Sequence, residues 1–169
     1  LAEIERATDH LAEALAAARR SVELAPLHLQ GYLLLGEVLE AAGDVAAARA
    51  AYERLDRLAN SPELREAAPL QKREYLFEPT QGYALMRLGT LAEQAGDRAV
   101  ARDAYTRALA DFALYEKTWR KQLEAMAALP ASQQRELLAL SGLHEDERAE
   151  VRALVTTLEE RLRALGPAP

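Results

Sequence analysis

One pattern occurs twice in this chain, and it constrains the fold more than any other feature. Residues 32–55 read YLLLGEVLEAAGDVAAARAAYERL, and residues 85–108 read LMRLGTLAEQAGDRAVARDAYTRA. Corresponding residues lie 53 positions apart, as Gly43 and Gly96 do. The residues of the first copy that recur unchanged in the second are Leu35, Gly36, Glu40, Ala42, Gly43, Asp44, Ala46, Ala48, Arg49, Ala51, Tyr52 and Arg54. A pattern repeated in this way is typical of stacked, similar structural units.

Each copy predicts two helices joined by a tight turn. Gly43 and Gly96 follow an apolar helical stretch and can adopt the left-handed conformation that ends a helix. Asp44 and Asp97 come next, and aspartate at a helix N-cap accepts hydrogen bonds from free backbone N–H groups. Each copy is therefore predicted to be a helical hairpin, which must stack on neighbours because it cannot bury its apolar faces alone.

Small residues are predicted to bring the two helices of each hairpin close together. Gly36 faces Ala48 in the first copy, and Gly89 and Ala101 repeat this pair in the second. A tyrosine, Tyr52 or Tyr105, is then available to fill the space beside each pair.

The composition predicts an all-α chain. Ala, Leu, Glu, Arg and Gln, which are strong helix formers, dominate nearly every stretch. No run alternates Val, Ile, Thr and aromatic residues at a period of two, as a strand would. The 169 residues suffice for one domain with its own core, and no apolar run reaches the ~18 residues of a membrane span.

The repeated pattern resembles the tetratricopeptide repeat, whose period is ~34 residues. The residues that carry the resemblance are Tyr32, Leu35, Gly36, Leu39, Ala48 and Tyr52 in the first copy and Leu85, Leu88, Gly89, Ala92, Ala101 and Tyr105 in the second. The resemblance implies a right-handed α-solenoid of helix hairpins, with an inserted helical segment and C-terminal capping helices.

We predict a single domain over residues 1–169. Its parts are a partial repeat at 1–26, a repeat at 27–60, an insertion at 61–79, a repeat at 80–113, a degenerate repeat at 114–144 and a capping helix at 145–165. In the partial repeat, which we expect to keep a shortened first helix, Ala18 stands where Tyr52 stands. In the degenerate repeat, Trp119 matches the family's leading tryptophan but Leu123 replaces its glycine.

Three prolines, at 62, 69 and 79, punctuate the insertion and predict one or two short helices outside the regular stack. Tyr75, Leu76 and Phe77 are too apolar for a free tip. Two roles stay open for this segment: a structural elaboration, or a wall of a binding groove or subunit contact.

The C-terminal part predicts two helices. Residues 130–142 form a short one, with Pro130 and Ser132 at its start and Gly142 at its end. Residues 145–165 carry an apolar stripe at spacings of three and four, which is typical of an amphipathic helix. This second helix either caps the last repeat or associates with a second copy of the chain.

The charge argues against a nucleic-acid partner, which usually requires a basic face, because the formal net charge is −6 and the pI is about 5.2. The chain has no cysteine, so disulfides are absent. No signal peptide is visible; a cytoplasmic location is favoured, and export stays open. The richness in Ala, Arg, Leu and Glu is compatible with a bacterial source.

No pattern for catalysis or cofactor binding is present in the sequence. His10, His28 and His144 each lack a second ligand at metal-binding spacing. The glycines are isolated and form no phosphate loop, and the serines lack a nucleophile context. We therefore predict no catalytic residue, no metal, no cofactor and no enzymatic activity.

The resemblance implies a function in protein–protein interaction. In this family the first helix of each hairpin lines a concave groove, and the partner-binding residues implied here are Gln30, Leu33, Glu37, Glu40, Tyr83, Met86, Arg87, Thr90, Glu93 and, if the stack continues, Arg120. The implied role is an adaptor or assembly scaffold that holds a peptide or partner domain. A homo-oligomeric scaffold, or a regulatory domain of a larger signalling or transcription protein, stays open.

Some members of the family grip the C-terminal carboxylate of a peptide with Lys, Arg and Asn. Leu33 and Glu37 stand at positions where such residues would be needed, and Arg87 alone suits the role. An extended or helical segment with apolar anchors fits this groove better.

Overall fold

A computed structural model describes residues 2–66, 79–133 and 145–166, and those residues are helical with no strand. The helices are α1 (Ala2–Leu24), α2 (Leu29–Ala41), α3 (Val45–Ala59), α4 (Pro62–Glu66), α5 (Thr80–Gln94), α6 (Arg98–Ala127) and α7 (Glu145–Ala164). The chain has an all-α helical repeat fold, as predicted.

The two copies of the pattern form the hairpins α2–α3 and α5–α6. Gly43 and Gly96 have φ angles of 80° and 78°, which place both in the left-handed region. The side chain of Asp44 accepts a hydrogen bond from the backbone N–H of Ala47 at 3.0 Å, and Asp97 repeats this N-cap on α6. The predicted turns and caps are therefore confirmed in both hairpins.

A tyrosine from the second helix of each hairpin packs directly on a glycine of the first. The ring of Tyr52 covers Gly36, and the ring of Tyr105 covers Gly89. Both tyrosines are fully buried. The glycine thus provides space for an aromatic ring, and this places the apolar core between the paired helices.

The N-terminal segment is one uninterrupted helix, α1, rather than the remains of a hairpin with a shortened first helix. Residues 2–24 contain neither glycine nor proline, so nothing in the sequence breaks the helix. Ala18 is buried on α1. The hydroxyl of Tyr32 on α2 donates to the backbone carbonyl of Pro26 at 3.2 Å, which fixes the link between α1 and α2.

Helix α6 is longer than the second helix of a regular repeat. It runs through the predicted boundary at 113/114 to Ala127, because no glycine or proline interrupts it after Gly96. Beyond that boundary it buries Tyr115 and Trp119. The start of the predicted degenerate repeat is therefore continuous with the hairpin that precedes it.

Helix α7 packs along α6, from the level of Glu116 back to that of Arg98, and runs antiparallel to it. Near the start of α7, Arg148 donates to the Glu116 carboxylate at 2.6 Å. Near its end, the backbone carbonyl of Leu165 accepts from Arg98 at 2.8 Å and from Arg102 at 3.1 Å. Contacts at both ends thus fix the register of α7 on α6.

Helix α7 lies where the first helix of a further hairpin would lie, beside α5 and α6. Its outer face carries Thr156, Glu160 and Arg163, which are exposed. The predicted capping role of α7 stays a prediction, and a polar outer face is compatible with it.

Part of the predicted insertion is a short helix, α4. The Ser61 hydroxyl accepts from the backbone N–H of Leu64 at 3.2 Å, and Leu64 is buried. The rest of the insertion, with Tyr75, Leu76 and Phe77, lies outside the described residues, as do residues 134–144. The two possible roles of the insertion stay predictions.

Candidate functional site

A groove crosses three parallel helices, α2, α5 and α7, with α5 in the middle. Near the starts of α2 and α5, the Thr80 hydroxyl donates to the side-chain oxygen of Gln30 at 3.4 Å. Near the ends of α5 and α7, Glu93 and Arg161 form an ion pair. The groove encloses a cavity of about 370 Å³. Its lining residues are Gln30, Leu33, Glu37, Thr80, Tyr83, Met86, Arg87, Glu150 and Leu154.

Six of the ten predicted partner-binding residues line this groove together. They are Gln30, Leu33, Glu37, Tyr83, Met86 and Arg87. Sequence reasoning missed Thr80, Glu150 and Leu154. The last two come from α7, and their place depends on how α7 docks, which the repeat pattern does not encode. The one sequence signal for these α7 residues was the amphipathic stripe. The stripe predicts that α7 has a buried apolar face, but it does not show which helix that face packs against.

Four apolar or aromatic side chains contribute to the lining of the groove. Leu33 is 4% exposed and forms its floor, while Tyr83, Met86 and Leu154 are partly exposed. The ring of Tyr83 packs edge-on against Phe112, with ring centroids 5.6 Å apart. This contact holds the tyrosine in one orientation at the groove surface.

Glu40, also predicted to bind a partner, is held by contacts within the protein. Its carboxylate accepts a hydrogen bond from the Tyr52 hydroxyl at 3.0 Å and lies 3.4 Å from the Arg87 guanidinium. Burial raises the pKa of Tyr52, and the neighbouring Glu40 carboxylate adds to the shift. The hydroxyl therefore stays protonated and donates.

The second hairpin repeats this arrangement with Glu93 and Thr90. The Glu93 carboxylate accepts from the Tyr105 hydroxyl at 2.8 Å and from Arg161 of α7 at 3.2 Å. The Thr90 hydroxyl lies 3.4 Å from the Tyr105 hydroxyl and 3.3 Å from Arg161. Burial raises the pKa of Tyr105 as well. Each hairpin thus joins its own tyrosine and glutamate to an arginine of the next helix in the stack.

Arg120, the tenth predicted residue, is exposed near the end of α6 and is not among the groove residues. It was placed in the groove on the assumption that a further first helix begins near residue 114. Since α6 continues through that point, Arg120 belongs to an extended second helix instead.

The charged side chains of the groove differ in whether they have an ion-pair partner. Glu37 on α2 and Glu150 on α7 are exposed, and neither has an ion-pair partner in the described parts of the chain. Arg87, the one cation among the lining residues, has its charge balanced by Glu40. The open groove therefore presents two unpaired carboxylates on opposite walls.

The structure offers no metal centre among residues 2–66, 79–133 and 145–166, because no group of three or more His, Asp or Glu could hold an ion there. Within the same residues, no helix is both long and apolar enough to cross a membrane.

A family model described as a tetratricopeptide repeat matches residues 29–62, which comprise α2, α3 and the first residue of α4. The match supports a tetratricopeptide repeat over this hairpin. The predicted resemblance is thereby confirmed for the first hairpin, and the second hairpin shares its turn, N-cap and tyrosine contacts. Tetratricopeptide repeats generally mediate protein–protein interaction and are typically not enzymes. Neither the comparison with curated proteins nor that with solved structures found a match.

Proposed function

We propose that the chain is a protein-interaction module that binds a peptide, or an exposed segment of a partner domain, in the groove of α2, α5 and α7. It would act as an adaptor or assembly scaffold without chemical turnover. The observation that supports this function most directly is the cavity of about 370 Å³ above the partly exposed side chains of Tyr83, Met86 and Leu154.

The size of the groove favours a segment over a whole folded surface. A cavity of this volume lies at the small end of ordinary ligand sites and accommodates a few side chains. An extended or helical segment that inserts one or two apolar anchors fits it. The tyrosine–glutamate–arginine contacts beneath the groove hold α2, α5 and α7 in place, so binding costs little ordering of the protein.

Selection from a random 12-residue peptide library displayed on phage tests the proposal. The affinity of the most enriched peptide is then measured by calorimetry for the wild type and two variants. Met86→Arg places a long side chain in the groove, and Ala50→Arg places the same side chain on the exposed face of α3. Both variants are first shown to melt like the wild type.

We expect Met86→Arg to weaken binding at least tenfold and Ala50→Arg to leave it unchanged. Equal affinity of the wild type and Met86→Arg, or failure of the library to yield any enriched peptide, would contradict the proposed function.

A further inference from the structure

We infer that the groove selects segments in which apolar anchors are flanked by Lys or Arg. This inference rests on the proposed function and specifies the chemistry of its partner. Glu37 and Glu150 carry it, because they are the two groove carboxylates that no cation neutralises in the described part of the chain.

The position of the two carboxylates matters as much as their charge. Glu37 stands on the α2 wall and Glu150 on the α7 wall, with α5 between them. A segment lying along α5 therefore has a carboxylate on either side of it. Lys and Arg have long side chains that can reach such rims while a neighbouring apolar residue occupies the centre.

The partly exposed side chains of the groove supply the second half of the recognition. Tyr83, Met86 and Leu154 offer contact area for Leu, Ile, Met or Phe anchors. The unpaired carboxylates repel an acidic segment at the same site, so the groove discriminates by repulsion as well as by attraction. The overall net charge of −6 also favours the approach of basic segments.

Arg87 does not reverse this preference. Its guanidinium lies 3.4 Å from Glu40, which also accepts the Tyr52 hydroxyl. An acidic ligand that took Arg87 would have to compete with a carboxylate already held in place. The cation of the groove is thus part of the stack rather than a free anchor for an anion.

The same peptide selection, repeated on Glu37→Gln/Glu150→Gln, tests this inference. These substitutions keep the size and hydrogen-bonding ability of both side chains and remove both charges. A matched control, Glu53→Gln/Glu63→Gln, removes two charges from α3 and α4, outside the groove. The readouts are the net charge of the enriched peptides and the affinity of the best wild-type peptide at 50 mM and 300 mM NaCl.

We expect peptides enriched on the wild type to contain more Lys and Arg than Asp and Glu, and this excess to disappear on Glu37→Gln/Glu150→Gln. The best peptide should bind that variant about 2- to 30-fold more weakly, since two partly exposed ion pairs are lost. Its affinity for the wild type should also fall as salt rises, and the control should behave like the wild type.

Enriched peptides that are neutral or acidic, yet lose affinity with Met86→Arg, would overturn this inference and leave the proposed function intact. Basic peptides that bind Glu37→Gln/Glu150→Gln as tightly as the wild type would also overturn it. Peptides insensitive to Met86→Arg, or no enriched peptide at all, would overturn both.

Discussion

The ring of Tyr52 lies so close to the backbone of Gly36 that a Cβ atom on residue 36 would stand only 2.6 Å from Cδ1 of the ring. The pair Gly89 and Tyr105 repeats this contact in the second hairpin. Two helices that approach through a ring on a bare backbone have little freedom to slide or rotate. The hydroxyls of the same two tyrosines donate to Glu40 and Glu93, which contact an arginine of the next helix. The side chains that close each hairpin core therefore also join the helices that carry the groove.

Gly89→Ala should destabilise the protein. The added Cβ would overlap the ring of Tyr105, which is fully buried. Overpacking of this kind costs about 1–3 kcal/mol, more than the ~1 kcal/mol that alanine gains over glycine in a helix. The free energy of unfolding, measured by urea denaturation, should fall.

Gly31→Ala is the control for that substitution. A Cβ on residue 31 would approach the side chains of Ser21 and Val22 at 3.3 Å, and both are partly exposed and can adjust. Its stability should stay within about 1 kcal/mol of the wild type. A Gly89→Ala protein as stable as Gly31→Ala would show that the ring contact is not tight.

Tyr105→Phe should lower the free energy of unfolding more than Tyr52→Phe does. Both lose a hydrogen bond to a carboxylate, worth about 1.5–3 kcal/mol. The Tyr105 hydroxyl also accepts from Arg161 of α7 at 2.8 Å, so its removal weakens the docking of α7 as well. Hydrogen exchange should show faster opening of α7 in Tyr105→Phe only. Equal protection of α7 in the two variants would refute the role given to this hydroxyl.

The docking of α7 should weaken in acid. Hydrogen bonds from Arg148 and Arg152 lower the pKa of Glu116 from 4.5 to about 2. A carboxyl group with a lowered folded-state pKa stabilises the fold above its unfolded value, and this contribution is lost as the pH falls towards 2. The guanidinium carbon of Arg148 lies 4.3 Å from the ring centroid of Trp119, which is the one tryptophan of the chain. Its fluorescence therefore reports the docking.

Glu116→Gln isolates this effect from the other carboxyl groups. Above about pH 5 the variant should be roughly 2 kcal/mol less stable than the wild type, because it loses charge-assisted hydrogen bonds. The difference should shrink as the pH falls from about 4.5 to 2. A difference that stays constant over this window would mean that the ionised Glu116 does not hold α7.

Asp111→Ala should destabilise the start of α5. The N-cap residue of α5 is Pro79, which makes no side-chain cap, and Asp111 of α6 instead accepts the backbone N–H of Gly82 at 2.7 Å. Loss of a cap costs about 1 kcal/mol, up to 2. Asp103→Ala, which removes an exposed carboxylate from the same helix, should cost less than half as much. Equal losses of unfolding free energy in the two variants would rule out this cap.

The sequence predicted the features that depend on neighbouring residues. Gly43 and Asp44 determine a turn within two positions, and the same pair at 96 and 97 predicts the same turn in the second copy. The first-helix positions of the groove were implied by the family resemblance, whereas the turns and N-caps follow from neighbouring residues alone. These are local rules, because the backbone conformation and N-cap geometry of a residue are largely set by its own chemistry.

Features that depend on distant contacts could not be predicted in this way. Asp111 caps a helix that begins 31 positions earlier, at Thr80, and Arg148 pairs with Glu116 across 32 positions. The contribution of Glu150 to the groove follows from that docking. Arg87 was predicted to bind a partner protein. It also pairs with Glu40 of the same chain, because α5 packs on α2. Such pairings arise from tertiary packing and leave no periodic pattern.

The central claim, that the groove of α2, α5 and α7 binds a polypeptide segment, is tested most directly by the two methionines of the chain. Met86 lines the groove, and Met126 lies at the far end of α6, outside it. A protein labelled with ¹³C at the methionine methyl groups gives one signal in the site and one internal control. On titration with the most enriched peptide, the Met86 signal should shift to saturation while the Met126 signal stays in place. Saturable binding that moves Met126, or neither methyl group, would contradict the claim.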